Sequence, residues 1–311
     1  MLRYLAKRLL LLIPVALGVA FLAFLLIHLV PGDPARTFLG SHSTPAGIRS
    51  LDHAWGLDRP LPVQYWLFLD RLLHGDLGQS LFYQASVNTL IASRLPATLL
   101  LLVYATILSL LISVPIALLA AVRRNSWVDQ TARAIPVVGI GMPSFWLGIM
   151  LILVFALRLR LFPVGGYGQD TLHHLWSMFL PGLTVALAIS PMLIRSLRAS
   201  LIEALDSDYV AFARSKGLPG WIVLLRYGLR NASISGVTIL GINIGFLVGG
   251  TLVVENVFAV PGLGSLMVQS IMNRDFPVVQ GITIVFAVIV IVVYLLTDLA
   301  YAALDPRVQF S

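Results

Sequence analysis

Apolar residues gather along this chain into six long stretches that contain no Asp, Glu, Lys or Arg: Leu9–Val30, Leu95–Val122, Ala134–Leu157, Phe179–Ile194, Ala232–Val254 and Val278–Leu296. A helix needs about 20 apolar residues to cross the hydrocarbon of a bilayer, and only structures that satisfy their own backbone hydrogen bonds can do so. Each stretch therefore predicts a membrane-spanning helix. The fourth is short and is expected to continue past Arg195.

The polar segments between these stretches set the orientation. With both termini inside, 13 of the 21 basic residues fall in the shorter inner segments, among them Lys7, Arg8, Arg123, Arg124, Arg195, Arg198, Arg214, Lys216, Arg226 and Arg230. Positive charge is retained on the cytoplasmic side, so an N-in, C-in topology is expected. The first apolar run is longer than a signal core and ends in VPGDP, residues 30–34, instead of a small-residue cleavage pattern, so it reads as a retained anchor.

Two connecting segments are long enough to carry function. Residues 31–94 form an outer cap with five Asp and five Arg. Its Trp55–Trp66 stretch leads into an amphipathic run, Tyr65, Leu69, Leu72 and Leu73, that reads equally as a helix on the membrane surface or as an ordered loop. The inner segment 195–231 is basic yet periodic. Val210, Ala213, Leu218, Ile222 and Leu225 recur near helical spacing, Asp208 is placed to cap a helix start, and Gly217-Leu218-Pro219 breaks the run. Two short helices joined at a Gly-containing turn are expected there. Composition alone leaves Arg214 and Lys216 open to a second reading, as charges that hold the topology.

The whole-chain figures narrow the function classes. Of 311 residues, 58% are hydrophobic and 11% charged, the net charge is +7, and the mean hydropathy is +0.91. That is the composition of a membrane protein, and no basic stripe interleaved with aromatics marks a nucleic-acid surface. There is no Cys, so disulfides, thiolate metal sites and Cys nucleophiles are excluded. Neither Lys7 nor Lys216 follows a Gly as a phosphate-cradling loop requires, so no ATP site of that kind is expected in this chain. A membrane-embedded hydrolase would need a Gly-x-Ser-x-Gly elbow or a His-Glu-x-x-His helix, and neither occurs.

Ionisable groups in the spans lie toward their ends: His28, Arg195 and Asp298. A proton-driven carrier is expected to place acids or His near the midplane, so this pattern argues against a stand-alone secondary carrier or channel. Span five carries Asn243 among Gly236, Gly241, Gly245, Gly249 and Gly250. A face of small residues lets helices approach closely, either along a translocation path or a subunit interface, or in packing within one chain. Pro136, Pro143, Pro181 and Pro191 are candidates for kinks in spans three and four.

Several motifs in order resemble one family across nearly the whole chain. They are RLLLLIPVALGV and HLVPGDPA near the start, GLDRPLPVQY and HGDLGQS in the cap, RLPATLLL and PSFWLG in spans two and three, DYVAFARSKGLPGWIVLLRYGLRNA in the inner segment, then VVENVFAVPGLG, RDFPVVQG and ALDPRV. In these the chain resembles inner-membrane permease subunits of ATP-binding-cassette importers, in the dipeptide/oligopeptide/nickel permease family, of the B-type dipeptide subunit.

The resemblance implies an all-α integral membrane protein with six transmembrane helices in the type I importer permease fold, set in the bacterial inner membrane. It implies segments 1–30, 31–94 and 95–304, with a cytoplasmic coupling loop at 195–231 and a tail at 305–311. Its partners would be a second homologous permease, two ATPase subunits that bind ATP and Mg, and an extracytoplasmic substrate-binding protein; the chain itself is non-catalytic. Coupling to the ATPases is implied for Asp208, Tyr209, Ala211, Ala213, Arg214, Lys216, Gly217 and Leu218. A Glu and a Pro found at the ends of the general importer motif are replaced here by Ala211 and Arg230. Asn243, Gly245, Glu255, Phe258 and Pro261 are the candidates for the translocation path or outer gate. The implied cargo is a di- or oligopeptide, with nickel, a nickel chelate or glutathione as the alternative.

Overall fold

The structure is a computed structural model that describes residues 2–29, 39, 44–80 and 82–304. The expected tail at 305–311 and the VPGDP segment lie outside the described residues. In chain order the elements are α1 (Leu2–Leu29), α2 (Pro45–Trp55), α3 (Leu61–Leu73), a two-stranded hairpin of β1 (Gln79–Ser80) and β2 (Ala85–Ser86), α4 (Val87–Val122) and α5 (Trp127–Ile140). Then come α6 (Ser144–Leu151), which continues as a π-helix over Ile152–Arg158, α7 (Thr171–Ser177), α8 (Phe179–Leu205) and α9 (Asp208–Ser215). The last are α10 (Gly220–Ile222), running into a second π-helix at Val223–Leu229, α11 (Arg230–Val257), α12 (Leu263–Met272) and α13 (Phe276–Leu304).

Among the described residues, α1, α4, α8 and α13 are long and apolar enough to cross a membrane unaided. A fifth span is bent: Gly220–Asn243 and Leu247–Val257 make an angle of 59°. Gly245 lies in the break between them, with Gly241 just before it, and glycine weakens a helix where it lacks both side-chain packing and backbone restraint. The expected third span, Ala134–Leu157, is not one helix. It is interrupted after Ile140, where Gly141-Met142 precede Pro143, and resumes at Ser144. Proline disfavours a helical residue before it and cannot donate to the preceding turn, which accounts for the break. The fourth span does continue past Arg195, to Leu205.

The chain divides into two compact units, Met1–Pro96 with Ser265–Ile291, and Ala97–Gly264 with Val292–Ser311. In the first, α3 lies along α1: the Tyr65 hydroxyl donates to the Leu17 carbonyl at 3.4 Å, and Phe24 meets both Tyr65 and Phe68. His28 Nε2 lies 3.0 Å from Gln64 Oε1, and the Gln64 amide donates to the Leu57 and Arg59 carbonyls. The amphipathic run of the cap is therefore a helix, packed on α1 by its Gln64, Tyr65 and Phe68 face. On α13, Gln280 donates to the Ala23 carbonyl at 3.0 Å, and Ser80 to the buried Asp275 carboxylate at 2.5 Å.

In the second unit α8 is the central helix, packed against α5, α6, α7, α9 and α11. Leu193, Leu197 and Leu201 meet Ala117 and Ala121 of α4 and Ala232 of α11 in one apolar cluster. By contrast, Leu99, Val103, Ile107 and Leu111 of α4 recur every four residues and stay exposed. Such a stripe is stable only against lipid or another apolar surface.

Candidate functional site

The inner segment folds as the periodicity predicts, into a helical hairpin after α8. Ser207 takes the extended conformation of a helix N-cap and Asp208 is the first helical residue, so the cap expected of Asp208 belongs instead to its neighbour. At that position a carboxylate still complements the positive end of the helix dipole. Val210 and Ala213 are buried with Val223 from the second π-helix, and Leu205, Leu218 and Tyr227 close the cluster. Gly217 turns the chain at φ +73°, while its N–H reaches the Arg214 carbonyl at 2.9 Å and that of Leu218 reaches Ala213. A left-handed residue just past a helix end is the usual glycine-favoured stop, and Pro219 then starts α10.

The opposite face of the hairpin is uncovered. Phe212 is 62% exposed and Trp221 66%, with Ala211, Arg214, Lys216 and Leu225 also exposed. Lys216 Nζ stands 4.5 Å from the centre of the Phe212 ring, a cation–π contact that holds both side chains on one face. Tyr209 is half exposed, and its hydroxyl accepts from Asn231 Nδ2 at 2.9 Å, which ties α9 to the start of α11. The coupling candidates thus gather in one hairpin: Ala213 and Leu218 pack inward, and Asp208, Tyr209, Ala211, Arg214, Lys216 and Gly217 lie at the surface. Phe212, Trp221 and Leu225 belong with them although the coupling candidates expected from the sequence include none of the three. Phe212 and Trp221 lie off the buried Val210–Ala213 face, whereas Leu225 shares its apolar periodicity and is nonetheless exposed.

Glu255, Phe258 and Pro261 come together at the far end of α11 from this hairpin. Glu255 is fully buried, and its Oε1 accepts from Thr98 Oγ1 at 2.7 Å. The same hydroxyl accepts from the Leu263 N–H at 2.8 Å. A Cβ on Gly262 would fall 2.3 Å from the Glu255 carboxyl carbon, and one on Gly264 would fall 2.5 Å from Leu252 Cα, so the PGLG glycines are needed for this close fold. Phe258 is buried too. Its carbonyl accepts from Gly166 at 2.8 Å, and a Cβ on Gly165 would overlap that carbonyl at 2.1 Å. Ala259 takes φ +50° to turn the chain.

Asn243 and Gly245 sit roughly three turns of helix away from this cluster and do not join it. Asn243 is 8% exposed; it donates to the Ile239 carbonyl at 2.7 Å and lies 4.0 Å from Met192 Sδ. A Cβ on Gly241 would meet Thr297 Oγ1 at 2.7 Å, and Gly245 faces the Tyr294 hydroxyl. Gly241 and Gly245 therefore pack on α13 and Gly236 on Leu197 of α8, whereas Gly249 and Gly250 have open space beside them.

One carboxylate of the second unit is strongly perturbed. Asp129, at the start of α5, is fully buried and accepts from Arg198 Nε and Nη2, the latter at 2.8 Å, and from the Asn125 N–H at 3.0 Å. Hydrogen bonding to Arg198 outweighs burial and draws its pKa down to about 2.

Apolar spans, a protruding basic hairpin at one end of α11 and a glycine-clamped turn at the other define an integral-membrane permease. Residues 113–310 match the family described as binding-protein-dependent transport system inner membrane component, and residues 1–102 match the N-terminal part of such membrane components. The chain belongs to this family of inner-membrane permeases of ATP-binding-cassette importers. It is 42% identical to the glutathione transport system permease protein GsiC of Pectobacterium atrosepticum over all of both chains, and 40% identical to GsiC of Escherichia coli strain K12 over the same full extent. Among solved structures, an amino acid ABC transporter crystallised with histidines shares the fold at TM-score 0.53 and 19% identity, over 70% of this chain and 94% of that one.

Proposed function

We propose that this chain forms half of the translocation path of an ATP-driven importer for short peptides of the glutathione class. Its partners are a second homologous permease, two ATPase subunits that hold ATP and Mg, and an external binding protein that delivers the cargo. Both termini lie inside, and six helical passages cross the membrane, the third in two pieces. The observation that carries this reading is the hairpin of α9 and α10. Its Val210–Ala213 face is anchored on α8, and Phe212 and Trp221 stand bare on the other side.

A helix that is packed on one face and aromatic on the other fits an apolar groove in a partner, with aromatic side chains as the anchors. Arg214 and Lys216 pair there with acidic groups of the ATPase. Closure of the ATPases on ATP moves the hairpin and the α8 end to which it is joined, and the turn around Glu255, Phe258 and Pro261 opens or shuts in response. ATP drives this only through contacts that differ between the two states. The cargo assignment rests on the name of the relatives together with the peptide-permease motifs of the sequence; a nickel chelate is the competing cargo.

Uptake of labelled glutathione, a plain dipeptide and nickel by cells lacking and then regaining this chain tests the proposal. Restored, ATP-dependent glutathione uptake supports it. Restoration of nickel uptake alone overturns the cargo assignment.

A further inference from the structure

The hairpin touches α8, yet a moving hairpin is useful only if the other spans follow. Helix α5 is gripped by α8 at three successive points. Near its start, the buried Asp129 meets Arg198; in the middle, Ala132 shares an apolar cluster with Ile194 and Ala120; near its end, a Cβ on Gly139 would fall 2.6 Å from the Pro191 ring. Residues 129, 132 and 139 thus run antiparallel to 198, 194 and 191. The lower end of α8 is bound as closely to the hairpin: Leu205 packs on the Val210–Val223 cluster, and a Cβ on Gly228 would lie 3.2 Å from Leu205 Cδ2. Helix α8 therefore has the hairpin at one end and α5 along its flank.

The two apolar grips resist separation, and they resist sliding through side-chain fit such as that of the Pro191 ring at Gly139. The fork of Arg198 adds a directional restraint: two N–H groups on the two oxygens of one carboxylate fix distance and rotation together. Asp129 is held from behind by the Asn125 N–H and approached by Arg133 Nη2 at 3.6 Å. Burying such a pair costs desolvation that apolar side chains of the same size avoid, so its use here points to a defined geometry more than to stability.

Resting on the coupling role proposed above, we infer that the Asp129–Arg198 pair is a positioning device that makes α5 follow α8 when the hairpin is moved. It forwards the stroke to the α5–α6 span. Without it, ATP hydrolysis continues and import lags behind.

The test uses the complete complex of permeases, ATPases and binding protein in liposomes, with labelled glutathione as cargo. Three versions of the chain are compared with wild type. Asp129→Leu with Arg198→Met replaces the pair by apolar side chains and leaves no buried charge stranded; Arg198→Lys keeps charge but removes the fork; Phe212→Ala with Trp221→Ala strips the hairpin surface. The readouts are ATPase capture, melting temperature, and cargo imported per ATP hydrolysed.

Both latch variants are expected to capture ATPases normally while cargo per ATP falls about tenfold. If the apolar double variant fails to assemble, Arg198→Lys gives the same reading. Cargo per ATP within about twofold of wild type in an assembled latch variant overturns the inference, because a purely structural pair predicts that result. The hairpin variant tests the underlying role separately: normal ATPase capture there defeats the coupling reading, whereas lost capture together with a normal latch variant defeats only the latch.

Discussion

Thr98 and Glu255, 157 positions apart in sequence, share a hydrogen bond of 2.7 Å at the buried base of the turn that follows α11. The Thr98 hydroxyl also accepts from the Leu263 N–H, so a single side chain serves a carboxylate and a backbone amide at once. Thr98→Val keeps the shape and removes both bonds. The Leu263 N–H loses this acceptor and Glu255 loses one of its donors; losing a buried hydrogen bond costs about 1–3 kcal/mol, so the variant is expected to melt several degrees lower in detergent and to import poorly. An unchanged melting temperature would show that the turn does not depend on this hydroxyl.

Gly217 makes its turn at φ +73° with open space around it: nothing lies within 4 Å of the position a Cβ would take. A substitution there meets backbone strain and no clash. Gly217→Val is expected to cost about 1–2 kcal/mol locally, to leave the spans folded, and to reduce import relative to ATP hydrolysis, with Gly217→Asn milder. Transport by the Val variant at the wild-type rate would contradict a role for this turn in coupling.

The two buried aspartates outside the spans predict opposite responses to pH. Asp129 has its pKa lowered by Arg198 to about 2, so its ion pair contributes stability above pH 3.8, and this is lost as pH falls toward about 2. Import per ATP should accordingly show no loss attributable to this pair between pH 5 and 8. Asp275 has its pKa raised by burial, against the smaller opposing effect of the Ser80 hydrogen bond, and its Oδ1 has no partner among the described residues. A raised value means that the folded state loses stability as pH rises from 3.8 through the folded pKa. Asp275→Asn is expected to flatten that slope in thermal melts taken across the acid range; an unaltered slope would assign it to other groups.

Much of the architecture was legible in the sequence because uninterrupted apolar length is a strong signal. The same periodic reading found Val210 and Ala213 on the inner face of the hairpin and the turn at Gly217. It marked Pro143 as a kink candidate but not the full interruption at Gly141–Pro143, since an apolar run looks continuous whether or not its hydrogen bonds are. Nor does any spacing rule announce the π-helices at Ile152–Arg158 and Val223–Leu229, since their wider turns leave no distinct apolar period over seven residues. Glu255 was legible as a motif residue, but its pairing with Thr98 joins distant segments that no local pattern connects. Asp129 carried no sequence signal beyond one acid in a basic segment; its Arg198 partner lies 69 positions away.

The central claim is that the exposed face of the α9–α10 hairpin receives the ATPase. The most direct measurement is the amount of ATPase subunit that co-purifies with this chain from membranes in mild detergent, for wild type and for Phe212→Ala with Trp221→Ala. Loss of two aromatic anchors predicts binding weaker by at least about tenfold, with the chain still folded by its melting temperature. Full recovery of the ATPases with the double variant would contradict the account.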